Sequence, residues 1–151
     1  MKKGLAFILA VIFMIACQSD PSKQIIGEWE IVQASVANMD EYLSKFKEKF
    51  NASDEEVQRE KERISTLPMS YYPVGITMEF ADSSKYYMGG IEGEWIMKPD
   101  NNTIEVHFSS IDTANFVIRK ISKNDLVLSY QTEFSGLPLD IELVLKRVKK
   151  D

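Results

Sequence analysis

From Ile25 to the C-terminus, apolar and polar residues alternate with a period of two in run after run. No other feature constrains the fold of this chain so tightly. Trp29, Ile31 and Gln33 share one face of a first strand, opposite Glu28 and Glu30. Further runs place Ile76, Met78 and Phe80, then Gly93, Trp95 and Met97, then Ile104, Val106 and Phe108, each on one face. Leu126, Leu128 and Tyr130 follow, and Leu137, Leu139, Ile141, Leu143 and Leu145 form the longest stripe. Alternation of this kind marks half-buried antiparallel strands. Short polar or glycine turns separate the runs, among them Asp82-Ser83-Ser84, Gly89-Gly90, Pro99 to Asn102 and Ser135-Gly136, and each suits a hairpin. With Tyr86 to Met88 and Phe116 to Ile118 added, the pattern predicts eight strands in simple succession. An up-and-down meander of that size removes both exposed edges by closing into a barrel.

One stretch departs from period two. Met39, Tyr42, Leu43, Phe46 and Phe50 follow helical spacing. Asn38 before Glu41 and Ser53 before Glu56 resemble capping boxes, and Asn51-Ala52 marks a break between two helices. Asp54, Glu55 and Glu56 complement the dipole of the second helix, and Pro68 discourages its continuation. The spacing therefore predicts helices over 39–50 and 54–66, an insertion spanning about 38–67 between strands one and two. The mix of charges from Arg59 to Arg63 is expected to be a solvated helix face.

The N-terminus carries a different signal. Lys2-Lys3 precedes twelve consecutive apolar residues, Leu5 to Ala16, and then Cys17, the only cysteine. A basic start, a short apolar stretch and a small residue before the cut form a secretory signal. Twelve helical residues span ~18 Å, too short for a ~30 Å hydrocarbon core. Met14-Ile15-Ala16-Cys17 resembles a bacterial lipoprotein box, with Met14 where Leu is usual. That resemblance implies cleavage after residue 16 and acylation of Cys17, which anchors the protein to a membrane without a spanning helix. The expected organisation is a signal peptide over 1–16, a lipidated cysteine and tether over 17–24, and a barrel domain over 25–151. Seven polar residues, 18–24, would reach at most ~25 Å. The implied location is the bacterial cell envelope, and Gln18 in place of Asp points to the outer membrane.

Loss of Lys2 and Lys3 leaves 16 basic and 23 acidic residues, a net charge of −7. This acidic balance without a basic cluster speaks against nucleic acid and against electrostatic docking on anionic lipid. Lys146, Arg147, Lys149 and Lys150 are expected to be a frayed basic tail.

Gly27-Glu28-Trp29, at the head of the first strand, resembles the Gly-x-Trp element of lipocalins and fatty-acid-binding proteins. The helix-turn-helix after strand one also resembles the barrel cover of fatty-acid-binding proteins. The last strand, Leu143 to Val148, lacks the Arg-x-Tyr pair that holds a carboxylate in that family. The strand count is nearer to lipocalins, although their C-terminal helix is absent. The better likeness is to bacterial lipocalin-like lipoproteins of calycin type. It implies a lipocalin-like barrel with Trp29 packed across one end and a binding role for a small hydrophobic ligand. Gly93-Glu94-Trp95 repeats the tripeptide without matching flanks, so it is read as coincidence or as a second aromatic plug beside a close-packed glycine.

No catalytic constellation stands out. His107, the sole histidine, falls on a polar face with Thr103 and Glu105, and nucleophilic triads or metal sites would need partners that the pattern does not offer. Asp100-Asn101-Asn102 lacks the glycine and glutamate of a calcium loop. No enzyme activity, cofactor or metal is expected. The candidate ligand-lining residues are Trp29, Met78, Phe80, Trp95 and Tyr130. A barrel of eight strands either fills itself with such side chains or holds one small ligand. Two readings stay open. One is a binding module for an apolar or amphipathic ligand under the helical lid. The other is a filled barrel that meets an envelope protein partner as an assembly component, inhibitor or immunity factor. Tyr71, Tyr72 and Pro73 either line the mouth or staple the lid.

Overall fold

Each alternating run forms a strand in the computed structural model, which describes residues 20–108 and 112–149. The strands are β1 Gly27–Val36, β2 Thr77–Phe80, β3 Lys85–Met88, β4 Ile91–Met97, β5 Thr103–His107, β6 Thr113–Ile121, β7 Asp125–Phe134 and β8 Leu137–Arg147. They pair in chain order, every neighbour antiparallel, and β8 returns to β1 to close the barrel. Between β1 and β2 lie α2 (Met39–Phe50) and α3 (Asp54–Tyr71), and a single helical turn, α1 (Pro21–Gln24), precedes β1. The expected eight-stranded meander with a two-helix insertion is thus the observed architecture.

Two ends can be told apart by which residues close them. At the end where β1 begins and β8 finishes, Trp29 donates its indole N–H to the Ile25 carbonyl at 2.8 Å. The Arg147 guanidinium lies 4.1 Å from the Trp29 ring. Its nitrogens donate to the carbonyls of Lys123 (2.8 Å), Ile26 (2.9 Å) and Gln24 (2.6 Å). Gly27 sits at φ +136°, and a Cβ there would run into the Arg147 guanidinium. The bend at Gly27 therefore makes room for the arginine as well as turning the chain. Arg147 is no frayed tail; it is the last residue of β8 and closes this end.

At the opposite end the helices pack over the start of β8. Tyr42, Leu43, Ile64, Leu137 and Leu139 form a small core of their own, separate from the barrel's. Phe50, expected on that apolar face, is 48% exposed. Ser53 and Glu56 make the reciprocal capping box, with bonds of 2.7 and 3.3 Å. Asn38 does not make one. Its side chain instead reaches across to β8, accepting from the Asp140 N–H at 2.8 Å and donating to the Pro138 carbonyl at 3.2 Å.

Three further differences from the sequence pattern have local causes. Helix α3 runs through Pro68 to Tyr71 instead of stopping at 66. Pro68 forfeits one helical N–H but is itself buried, and its carbonyl accepts from the Tyr72 N–H at 2.8 Å. In β1 a register shift against β8 between Ile31 and Gln33 moves Gln33 to the outside and Ala34 to the inside. Lastly, residues 20–24 are not an extended tether: Asp20 caps α1 by accepting from the Ser22 N–H at 3.0 Å, and Ile25 is fully buried behind it. The signal peptide over 1–16 and Cys17 lie outside the described residues.

Candidate functional site

Whether a small barrel can hold anything depends on what its inward side chains leave empty. Trp29, Met78, Phe80, Tyr86, Ile104, Phe116, Leu128 and Leu143 have 0% of their surface exposed. A side chain that no water-sized sphere can touch has no water-sized void beside it. Trp29 stands opposite Met78 in register. Phe80 meets Trp95 edge-on at 5.7 Å, and Trp95 fixes its indole N–H on the Ala81 carbonyl at 2.9 Å. Trp29, Met78 and Phe80 therefore form packed core with no water-sized void beside them, and Trp95, 6% exposed, belongs to the same cluster.

Gly93, two residues before Trp95, lets β4 lie close against the β5 backbone. A Cβ at Gly93 would approach the His107 carbonyl oxygen to 2.5 Å, a backbone contact that cannot yield. The second Gly-x-Trp tripeptide is accordingly an aromatic plug beside a close-packed glycine.

Tyr130 behaves differently. It sits at the helix-covered end and lines a cleft of about 240 Å³ with Leu67, Tyr71, Tyr72, Phe134 and Ile141. Tyr72, just past the end of α3, drops its ring into the barrel mouth. It lies 6.2 Å from Phe116 and 6.2 Å from Tyr130, both edge-on, while Phe116 and Tyr130 are 5.6 Å apart. Tyr71 points away and is 63% exposed. The adjacent tyrosines thus divide the expected roles: Tyr72 staples the lid, and both touch the cleft.

The Tyr72 ring is 7% exposed, yet its hydroxyl makes no hydrogen bond among the described residues. Among the described residues no fully buried side-chain polar atom lacks a partner, so the Tyr72 hydroxyl is not completely sealed. The Tyr130 hydroxyl likewise makes no hydrogen bond among the described residues. Burial, and secondarily the neighbouring Tyr130, raises the Tyr72 pKa well above that of a free phenol, so it stays neutral and able to donate. A mainly aromatic cleft that also presents Thr132, Glu133 and phenols able to donate can hold an apolar group and hydrogen-bond a polar atom next to it.

A second hollow of about 420 Å³ lies outside the barrel, between α2 and α3, lined by Phe46, Phe50, Arg59, Glu60 and Arg63. Its polar groups are largely spent on structure. Glu60, only 5% exposed, accepts from the Tyr42 hydroxyl at 2.7 Å and from Arg63 at 2.9 and 3.0 Å. Arg63 also stacks 4.5 Å over Phe134 on β7. This network rivets both helices to the β7–β8 hairpin, where sequence spacing suggested a solvated face. Burial, followed by the Glu60 bond, raises Tyr42 to about 12. His107 has partners too: Glu105 at 2.7 Å on its own strand and the Thr113 hydroxyl at 3.2 Å, with Glu105 also paired to Lys98. Lys98, just past β4, Glu105 and His107 on β5, and Thr113 on β6 form one polar cluster on the outer wall. Among the described residues no group of three or more His, Cys, Asp or Glu could hold a metal ion, and no helix is long and apolar enough to cross a membrane.

Compared with known protein families and with curated protein sequences, the chain matches none.

Proposed function

We propose that this chain is a lipid-anchored envelope protein of lipocalin-like type, a small binding module that seats one end of an amphipathic ligand in the cleft beneath α3. The observation that carries the reading is the pair of phenols without a hydrogen bond among the described residues, Tyr72 and Tyr130, in a mainly apolar cleft rimmed by Tyr71, Thr132 and Glu133 above a packed barrel core. Burying about 100 Å² of ligand surface there contributes ~2.5 kcal/mol, and each phenol adds ~1 kcal/mol where it finds an acceptor. The ligand is held at the mouth and not engulfed, because Phe116 and the packed residues below it leave no path inward. Anchoring falls to Cys17, with residues 1–16 removed as the signal. Trp29, Met78, Phe80 and Trp95 act as the rigid floor in this reading, and only Tyr130 of the five candidates touches ligand.

A second reading draws on the same sealed interior. A barrel without a water-sized void beside Trp29, Met78 and Phe80 suits a protein that works through its outer surface, meeting an envelope partner. Native mass spectrometry of the full chain, extracted from bacterial membranes in mild detergent, separates the two. Ligand binding is expected to appear as an adduct with an acyl or aryl amphiphile from a panel. Thr132→Trp, which fills the cleft from β7, is expected to abolish that adduct without unfolding the protein. A clean ligand-free mass with no uptake from the panel would overturn the first reading in favour of the second.

A further inference from the structure

We infer that the closed end of the barrel is a membrane-facing surface that rests on anionic lipid headgroups, so that the mouth opens away from the bilayer holding the anchor. The inference rests on the proposed lipidation of Cys17 and deepens that reading by assigning an orientation. Its first support is the short reach of the chain. Residues 20–24 are docked on the barrel: Asp20 caps α1, and Arg147 grips the carbonyls of Gln24 and Ile26. Only three Cα steps separate Cys17 from Asp20, a span of at most ~11 Å. A loose seven-residue tether would let the barrel tumble, whereas this span holds the closed end next to the bilayer.

Charge is the second support. The whole chain is acidic, at −5, but the closed end is not. Lys23 on α1, Lys123 in the β6–β7 turn and Lys149 after β8 are exposed there, and none makes an ion pair within 4 Å among the described residues, although Lys23 lies near enough to help stabilise the Asp20 carboxylate. All three belong to segments that Arg147 or its neighbours tie together. Three of the acids at this end are occupied. Asp20 caps its own helix, Asp100 accepts from the Asn102 and Thr103 N–H groups, and Asp125 pairs with Lys146. Exposed Asp82 and the half-exposed Glu28 and Glu79 make no ion pair among the described residues. These lysines are far apart in the sequence, which is why no basic cluster is visible there; the barrel gathers them. Uncommitted cations within a Debye length of an anionic leaflet are drawn to it.

The mouth lies at the other end of the same strands. β8 covers eleven residues from Leu137 to Arg147. At ~3.3 Å per residue and a tilt of ~40°, that separates the cleft from the closed end by ~25 Å. Ligand would then exchange with the aqueous side or with a surface facing the protein, not with the leaflet carrying the anchor.

The test uses the full lipidated chain in phosphatidylcholine–phosphatidylglycerol vesicles that contain a headgroup nitroxide quencher. With Cys17 acylated, an introduced cysteine is the only thiol to label. A fluorophore at Asn124→Cys (closed end) is expected to be quenched several-fold more than one at Glu55→Cys (helical end). Replacing the phosphatidylglycerol with phosphatidylcholine, or combining Lys23→Glu, Lys123→Glu and Lys149→Glu, is expected to narrow that difference at least by half. Equal quenching of the two labels, or stronger quenching at Glu55→Cys, would overturn the orientation while leaving the anchor intact. Labelled palmitate that does not enter the wild-type chain, or that still enters Cys17→Ala, would overturn the anchor and the orientation with it.

Discussion

Arg147→Ala removes one side chain that holds three segments together, and its cost can be worked out from contacts already described. The guanidinium donates to three backbone carbonyls, those of Lys123, Ile26 and Gln24, and covers the Trp29 ring at 4.1 Å. Arg147 is half-buried, so each bond is counted at ~1 kcal/mol and not at the value for a fully buried charge. The cation over the indole adds ~0.5–1 kcal/mol. Burial holds the guanidinium pKa below its ordinary value, a desolvation cost that trims the total. The expected loss is ~3 kcal/mol, a large share of the ~5–15 kcal/mol typical of a domain. For a chain of this size the melting temperature should fall by ~10 °C. Urea unfolding followed by circular dichroism should show a lower midpoint with an unchanged slope. Arg147→Lys, a point charge without the planar fork, should lose about half as much. Lys146→Ala, next door but paired only with half-exposed Asp125, should cost no more than ~1 kcal/mol. An Arg147→Ala variant that melts within ~3 °C of the parent would refute the view that this arginine closes the barrel.

Two other outcomes follow from the packing. Gly93→Ala places a Cβ 2.5 Å from the His107 carbonyl, so β4 and β5 must separate, at ~1–3 kcal/mol by thermal melting. The same change at Gly90, where a Cβ meets nothing within 4 Å, tests only its φ of +86°. Alkaline stability should reflect the buried phenols. Tyr42 is raised from 10.0 to about 12, and burial raises Tyr72 and Tyr86 further, so the folded state keeps protons that the unfolded state loses. Their contribution is intact below pH ~10 and is lost as pH climbs from ~10 towards the folded-state values. The urea midpoint should therefore drop between pH 9.5 and 11.5 (~2 units spanning the shift), and Tyr86→Phe should flatten the decline. An equally steep decline in Tyr42→Phe, Tyr72→Phe and Tyr86→Phe alike would assign it to other groups.

Much of the barrel is legible because a strand's two faces are written locally. The stripe from Leu137 to Leu145 points inward residue for residue, since nothing interrupts its pairing with β7. Gln33 was misplaced because a bulge is a property of two strands together; β1 alone gives no sign of its register shift against β8. Pro68 was expected to end α3 on local propensity, and burial overrides that propensity. Glu60 appears as one charge among several on a solvated face, and only the approach of Tyr42 from another helix turns it inward. The candidate site fared similarly. Trp29, Met78, Phe80, Trp95 and Tyr130 are candidate ligand-lining residues on pattern alone; the first four are buried in the barrel core, and Tyr130 is partly exposed at the mouth. Period two reports which side of a strand a residue occupies. It does not report whether the space on that side is full.

By itself the sequence determined the number and order of the strands, the place of the helical insertion and the Ser53–Glu56 cap. These depend on periodicity and on groups within a few residues of one another. The pattern around Cys17, on which the proposed anchor rests, is likewise confined to one contiguous segment. Tertiary structure alone decided which end of the barrel is closed, that Arg147 closes it, and that the floor is solid while a tyrosine-lined cleft stays open at the mouth. Those outcomes depend on volumes and charges brought together from residues as distant as Gln24 and Arg147. Such contacts exist only once the meander has closed.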